Sequence, residues 1–202
     1  MKRKKICSII TAAVVTASLT IQSGYQVMAI EKPSVKSLAS SVRGASDNKL
    51  ELKMNTSNTN STSNSIALQY TLKNTSSEAV DLAGVKINYY YSSDEDKKQN
   101  FVRDYSGGMV GGSYKGLTQC IQGTVAKTGL EDPTKSDCIG VGFSSDAGSL
   151  LPGEEIQIQI RVYRDDWSNY DQSNDYSFND ANKVEVSVNG SVNPPVNPPQ
   201  KK

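Results

Sequence analysis

The chain has 202 residues, 36% of them apolar, enough for one folded domain with its own core, and beyond the N-terminus no stretch approaches the roughly 20 apolar residues of a membrane span. Its 22 Lys and Arg nearly balance 21 Asp and Glu, and no basic run is interleaved with aromatics in the way that tracks phosphates, which argues against nucleic acid as a partner. Histidine is absent, so Ser-His and Cys-His catalysis have no base, and with three cysteines a zinc site is not expected.

Residues 1–29 read as a secretory signal: Lys2, Arg3, Lys4 and Lys5 form the basic start, residues 9–21 the apolar stretch, and Val27-Met28-Ala29 the cleavage site. Its removal leaves 18 basic against 21 acidic residues, a net charge of −3 on an exported chain whose partner is uncharged or weakly charged. Residues 30–48 read as a short leader without periodicity.

One domain is expected over residues 49–193, and its pattern is β throughout. Strands are predicted at 50–54, at Ile66, Leu68, Tyr70 and Leu72, and at Val85, Ile87, Tyr89 and Tyr91, where the neighbours Tyr89, Tyr90 and Tyr91 cannot all face one way. Further strands fit 100–104, 118–127 and 138–143. The clearest runs over 154–163, with Ile156, Ile158, Ile160 and Val162 on one side and Gln157, Gln159, Arg161 and Tyr163 on the other. Val184, Val186 and Val188 mark the last. Asn74-Thr75-Ser76, Ser106-Gly107-Gly108 and Leu151-Pro152-Gly153 read as turns. Short strands at this spacing with no helical period predict an all-β fold, an antiparallel β-sandwich of jelly-roll type. Residues 194–202 carry a doubled Asn-Pro-Pro unit, the composition of a stiff linker.

Cys120 and Cys138 fall in strand-like segments joined by the turn around Glu131-Asp132-Pro133. In oxidising surroundings they either bridge neighbouring strands, the favoured reading, or remain buried free thiols. The only tryptophan, Trp167, lies in a segment crowded with Asp, Asn and Ser, too polar to be core. A ring in such a loop invites a flat, partly apolar ligand, and the clustered oxygens invite a hard cation. Arg161 lies on the polar side of its strand, where a planar guanidinium can serve as a flat platform.

Asn88-Tyr89-Tyr90-Tyr91-Ser92-Ser93-Asp94, Asp104-Tyr105, Gly112-Ser113-Tyr114-Lys115-Gly116 and the run from Asp166-Trp167-Ser168-Asn169-Tyr170 to Ser173-Asn174-Asp175-Tyr176-Ser177-Phe178 resemble, in this order, the family 3 carbohydrate-binding modules of scaffoldins and cellulases. The resemblance implies a jelly roll of about nine strands whose flat face lies on crystalline cellulose or a related β-glucan. It implies a strip of Asp104, Tyr105, Tyr114, Arg161 and Trp167, with Asn64 and Gln159 as polar anchors, and a shallow groove on the opposite face. Members often carry His where Tyr105 stands; tyrosine keeps a flat ring and removes pH sensitivity near neutrality. It also implies a structural calcium ion held by Ser92, Asp94, Asp171, Asn174 and Asp175. The expectation is therefore a secreted, non-catalytic module that targets whatever is attached to it, a cohesin or glycosidase beyond the tail, to plant cell wall. An accessory module extending a cellulase cleft and a cell-surface sandwich that binds protein are the alternatives.

Overall fold

The computed structural model describes residues 50–55 and 59–193. The expected signal segment, leader and Pro-rich tail lie outside the described residues. In chain order the strands are β1 (Leu50–Met54), β2 (Thr62–Ser63), β3 (Ser65–Asn74), β4 (Val80–Asp81), β5 (Val85–Tyr91), β6 (Gln99–Val110), β7 (Ser113–Gly116), β8 (Ile121–Lys127), β9 (Asp137–Phe143), β10 (Ser149–Leu150), β11 (Glu155–Arg164), β12 (Tyr170–Asp171), β13 (Glu185–Val188) and β14 (Ser191–Asn193).

Two five-stranded sheets face each other, one ordered β1-β3-β11-β6-β7 and the other β14-β13-β5-β9-β8; two short ladders, β10-β4 and β12-β2, stand beside them. Every pairing is antiparallel. This is the antiparallel sandwich expected, with ten strands in the main sheets rather than about nine. Period-two alternation explains why it closes. Ile66, Leu68, Tyr70 and Leu72 of β3 and Ile156, Ile158, Ile160 and Val162 of β11 all point inward and are buried, opposed by Val85, Ile87, Tyr89 and Tyr91 of β5 and Ile139, Val141 and Phe143 of β9. Each such side chain contributes about 2 kcal/mol by leaving water. The complementary set on β11, Gln157, Gln159, Arg161 and Tyr163, is left on the outer face of the first sheet.

Two expectations are corrected here. Ser106-Gly107-Gly108 is no turn but the middle of β6, and the turn comes later, at Gly111-Gly112. Glycine serves close approach at Gly108, where a Cβ would lie 2.3 Å from the Glu155 carbonyl oxygen of the neighbouring strand. The second correction concerns the cysteines. Both are free thiols, Cys138 pairs across the sheet with Ala126, and Cys120 lies six residues before that partner at the far end of the β8-β9 hairpin. At about 3.4 Å per residue the two are about 20 Å apart, far beyond the roughly 7 Å between α-carbons that a disulfide tolerates. Half-burial beside Glu185 raises the Cys138 thiol pKa to about 11. The melting temperature should therefore be the same with and without a thiol reductant; a drop on reduction would restore the bridge.

Candidate functional site

Asp104 and Tyr105 are sequence neighbours, so plain alternation would send them to opposite faces of the sheet. A β-bulge resolves this. The β6-β11 register pairs Gln159 with Tyr105 but Ile160 with Arg103, leaving Asp104 as the extra residue, so both side chains reach the outer face. Arg161 meets Asp104 there as a two-pronged pair, Nε donating to Oδ2 and Nη2 to Oδ1, each at 2.8 Å. The Asp104 carboxylate holds the Arg161 pKa above its ordinary value. The pair fixes the guanidinium as a flat plate rather than a mobile charge.

Tyr114 comes from β7, the edge strand, which returns from β6 through Gly111-Gly112. Both glycines have positive φ, 62° and 83°, as a two-residue hairpin of this twist requires. Glu154 clamps the turn: its carboxylate accepts from the backbone N–H groups of Gly111 (2.9 Å), Gly112 (2.7 Å) and Leu151 (2.8 Å), which lower its pKa, the Leu151 bond most. Tyr114 is 66% exposed. Its hydroxyl lies 2.8 Å from that of Tyr105, and this bond raises the Tyr105 pKa.

Trp167 closes a turn after β11, its N–H donating to the Arg164 carbonyl at 2.9 Å with the Trp backbone left-handed at φ 57°. That conformation costs a non-glycine residue about 1 kcal/mol, so the surroundings must enforce it. Asp166 accepts from the N–H and Oγ of Ser168 at 3.0 and 2.7 Å and pairs with Lys97 at 2.9 Å, contacts that pull its carboxyl well below the usual range. Beneath lies Arg164, 1% exposed, donating through Nη2 to the Ser93 carbonyl and through Nη1 to the Asn169 carbonyl, with its guanidinium over the Tyr170 ring at 4.1 Å. Tyr163, the outward neighbour of Arg164, stacks on Trp167 with centroids 4.3 Å apart and planes 15° from parallel. One Trp face is covered and the ring remains 52% exposed.

The oxygen-rich residues gather behind this loop. Asp175 is buried; Oδ1 accepts from the Ser92 N–H at 2.8 Å, and Oδ2 has no partner. Burial, with the nearby Asp94 and Asp171 carboxylates, lifts its pKa to about 7. Asp94, left-handed at φ 58°, accepts from Asn174 Nδ2 through Oδ1 and from the Asp171 N–H through Oδ2, both at 3.0 Å. Asp171 itself is engaged as a cap, accepting from the Ser173 N–H and Oγ. No trio of His, Cys, Asp or Glu side chains gathers at metal-binding distance among the described residues. Two carboxylates here do not cap a turn, Asp175 with its unpartnered Oδ2 and Asp94, whose Oδ2 also lies 3.4 Å from Arg164 Nη2, and any further ligands would be the neutral oxygens of Ser92, Asn174 and the main chain.

The fold thus brings Asp104, Tyr105, Tyr114, Arg161 and Trp167 to one outer face. Gln159 joins them, half-buried between Gln69 and Tyr105. Asn64 is exposed at the step into β3, next to Ser65, the strand partner of Tyr163. Tyr163 is the member that residue-by-residue reasoning passed over, although alternation had already set it on the same side as Arg161. On the other sheet Tyr89 and Tyr91 are core, while Tyr90 lines a shallow groove with Tyr176, Lys135 and Lys183.

An exposed strip of rings and a flattened ion pair on the face of a rigid sheet defines a binding module for an extended surface. The family model described as the cellulose binding domain matches residues 51–193, and the chain belongs to this family, the family 3 carbohydrate-binding modules. It is similar to cellulosomal-scaffolding protein A of Acetivibrio thermocellus, 39% identical over 136 residues that make up 66% of this chain and 7% of that protein. It is likewise similar to exoglucanase-2 of Thermoclostridium stercorarium, 35% identical over 141 residues, 66% of this chain and 15% of that one. A crystal structure of a family IIIa CBD from Clostridium cellulolyticum aligns with a TM-score of 0.69 at 34% identity, covering 75% of this chain and 98% of that one. The chain spans a small part of these curated relatives and nearly the whole of the solved module.

Because Trp167 is the single tryptophan, its emission reports the stack directly. Tyr163→Ala should shift that emission to the red and raise quenching by acrylamide while changing stability by about 1 kcal/mol or less. An unaltered spectrum would mean that the stack does not hold the ring.

Proposed function

We propose that this chain acts as a secreted, non-catalytic module that adsorbs to crystalline cellulose and carries attached modules to plant cell wall. The observation that carries the reading is the outer face of the β1-β3-β11-β6-β7 sheet, where Trp167 on Tyr163, Arg161 with Asp104, and Tyr105 with Tyr114 stand exposed together. Each glucose ring of cellulose presents a face of C–H groups. Aromatic rings laid on that face remove apolar surface from water, and their negative faces attract the C–H edges. The guanidinium plate and the hydroxyls of Tyr105 and Tyr114 then meet the hydroxyls around each sugar, with Gln159 and Asn64 offering amides alongside. Membership in a family of cellulose binding domains supports the substrate, and the scaffolding protein and exoglucanase among its relatives support the targeting role. Export rests on the N-terminal sequence.

A calcium ion fits the oxygen cluster. The orphaned Oδ2 of Asp175 needs a positive charge beside it, and the Asp94 carboxylate, already 3.4 Å from Arg164 Nη2, would join Ser92, Asn174 and the main chain at Asp171 in completing an oxygen shell. Such an ion would neutralise Asp175 and tie the Ser92-Asp94 loop to the segment that follows Trp167. Its role would be structural.

Wild-type protein should sediment with microcrystalline cellulose, and Trp167→Ala should weaken adsorption at least about tenfold, equivalent to about 1.4 kcal/mol. Arg161→Lys should also weaken it, since lysine keeps the charge but loses the plate. Wild type left in the supernatant would sink the cellulose reading. For the ion, a chelator should lower the melting temperature and added calcium should restore it; an unmoved transition would reject the site.

A further inference from the structure

We infer that Gly107 is a positioning residue for the binding strip, its missing side chain being what allows Tyr105 and Tyr114 to lock into one two-ring unit. The inference rests on the cellulose reading for its consequence and on geometry for its cause. Gly107 lies between the two tyrosines on the outer face: Tyr105 is two residues before it on β6, and Tyr114 stands opposite Met109, two residues after it. The side chains lean toward each other along the strand and join their hydroxyls at 2.8 Å above Gly107. A Cβ there would sit 2.9 Å from the Tyr114 oxygen and 3.1 Å from both the Tyr105 oxygen and the Lys115 carbonyl oxygen.

Backbone conformation does not explain the glycine. Its φ is outside the left-handed region, unlike those of Gly111 and Gly112, so the strand would accept alanine without torsional strain. Within a strand glycine is otherwise a weak choice, having more freedom to lose on folding. The phenol bridge does little for folding either, because Tyr114 is largely in water, where a neutral hydrogen bond adds little net stability. The remaining consequence is recognition. One hydroxyl donates to the other, which fixes both rings in advance and leaves the second hydroxyl's proton for the ligand, so less freedom is lost when a sugar surface arrives.

The experiment compares adsorption isotherms on microcrystalline cellulose, with thermal melts, for wild type, Gly107→Ala, Tyr105→Phe, Tyr114→Phe, the double Phe variant and the triple variant. Gly107→Ala should weaken adsorption about fivefold without lowering the melting temperature. Each single Phe should lose nearly as much as the double, and Gly107→Ala should add nothing in the double Phe background, where the displaced hydroxyls are already gone. Wild-type adsorption by Gly107→Ala, or an equal loss in both backgrounds, would overturn the inference, as would additive single Phe losses. Failure of wild type to adsorb would instead reject the cellulose reading. The bridge is then judged by alkaline titration of the tyrosines, in which Gly107→Ala should bring the bridged phenol down toward ordinary tyrosine behaviour; an unchanged titration would reject it.

Discussion

A guanidinium withdrawn from water loses hydration on the order of several kcal/mol, and Arg164 recovers part of it from two carbonyls, the Tyr170 ring and the Asp94 carboxylate, whose Oδ2 lies 3.4 Å from Nη2. Its position follows from alternation: on β11 it is the inward neighbour of the outward Tyr163. The carbonyls it reaches, at Ser93 and Asn169, belong to the two loops that meet at this end of the sandwich. Trp167 lies between Arg164 and Asn169, so its ring is suspended from a turn whose beginning and end are both fixed by the same buried charge. The left-handed backbone at Trp167 persists because that charge, Asp166 and Lys97 together leave the turn little alternative.

The sheet faces were legible in the sequence because a half-buried strand writes its environment in every second residue. The inward isoleucines of β11 and the alternating runs of β3 and β5 needed no further information. What escaped was whatever broke the period. Asp104 and Tyr105 were both placed on the strip by family resemblance, but only the register shift against Gln159 and Ile160 shows how neighbours share a face. Ser106-Gly107-Gly108 carried the composition of a turn, and in the fold the two glycines make space rather than bend the chain. The cysteines failed for a related reason: sequence shows that two segments are strands, while the distance between two residues depends on register.

The two chemistries proposed for the Trp167 segment would depend on each other. The oxygens behind the ring are a charge problem, since Asp175 is held near a pKa of about 7 among other acids with one oxygen unbonded. The strip in front is a geometry problem, since rings and a guanidinium serve a flat ligand only if they keep their places. A cation would settle the first while stiffening the same segment for the second. The strip's other end has its own brace, the Glu154 carboxylate holding the Gly111-Gly112 turn.

Tyr163 has a consequence for which ligands the strip can hold. With one side of its indole already occupied by a phenol, Trp167 can be a floor but never one jaw of a clamp. A lone glucan strand in solution, free to be gripped from two sides elsewhere, would find contact here on a single side and would give up its flexibility for it. A chain already immobilised in a crystal has no such freedom to surrender. On the proposed cellulose reading, discrimination for ordered polymer over dissolved oligomer would be built into a ring that has only one side left to offer.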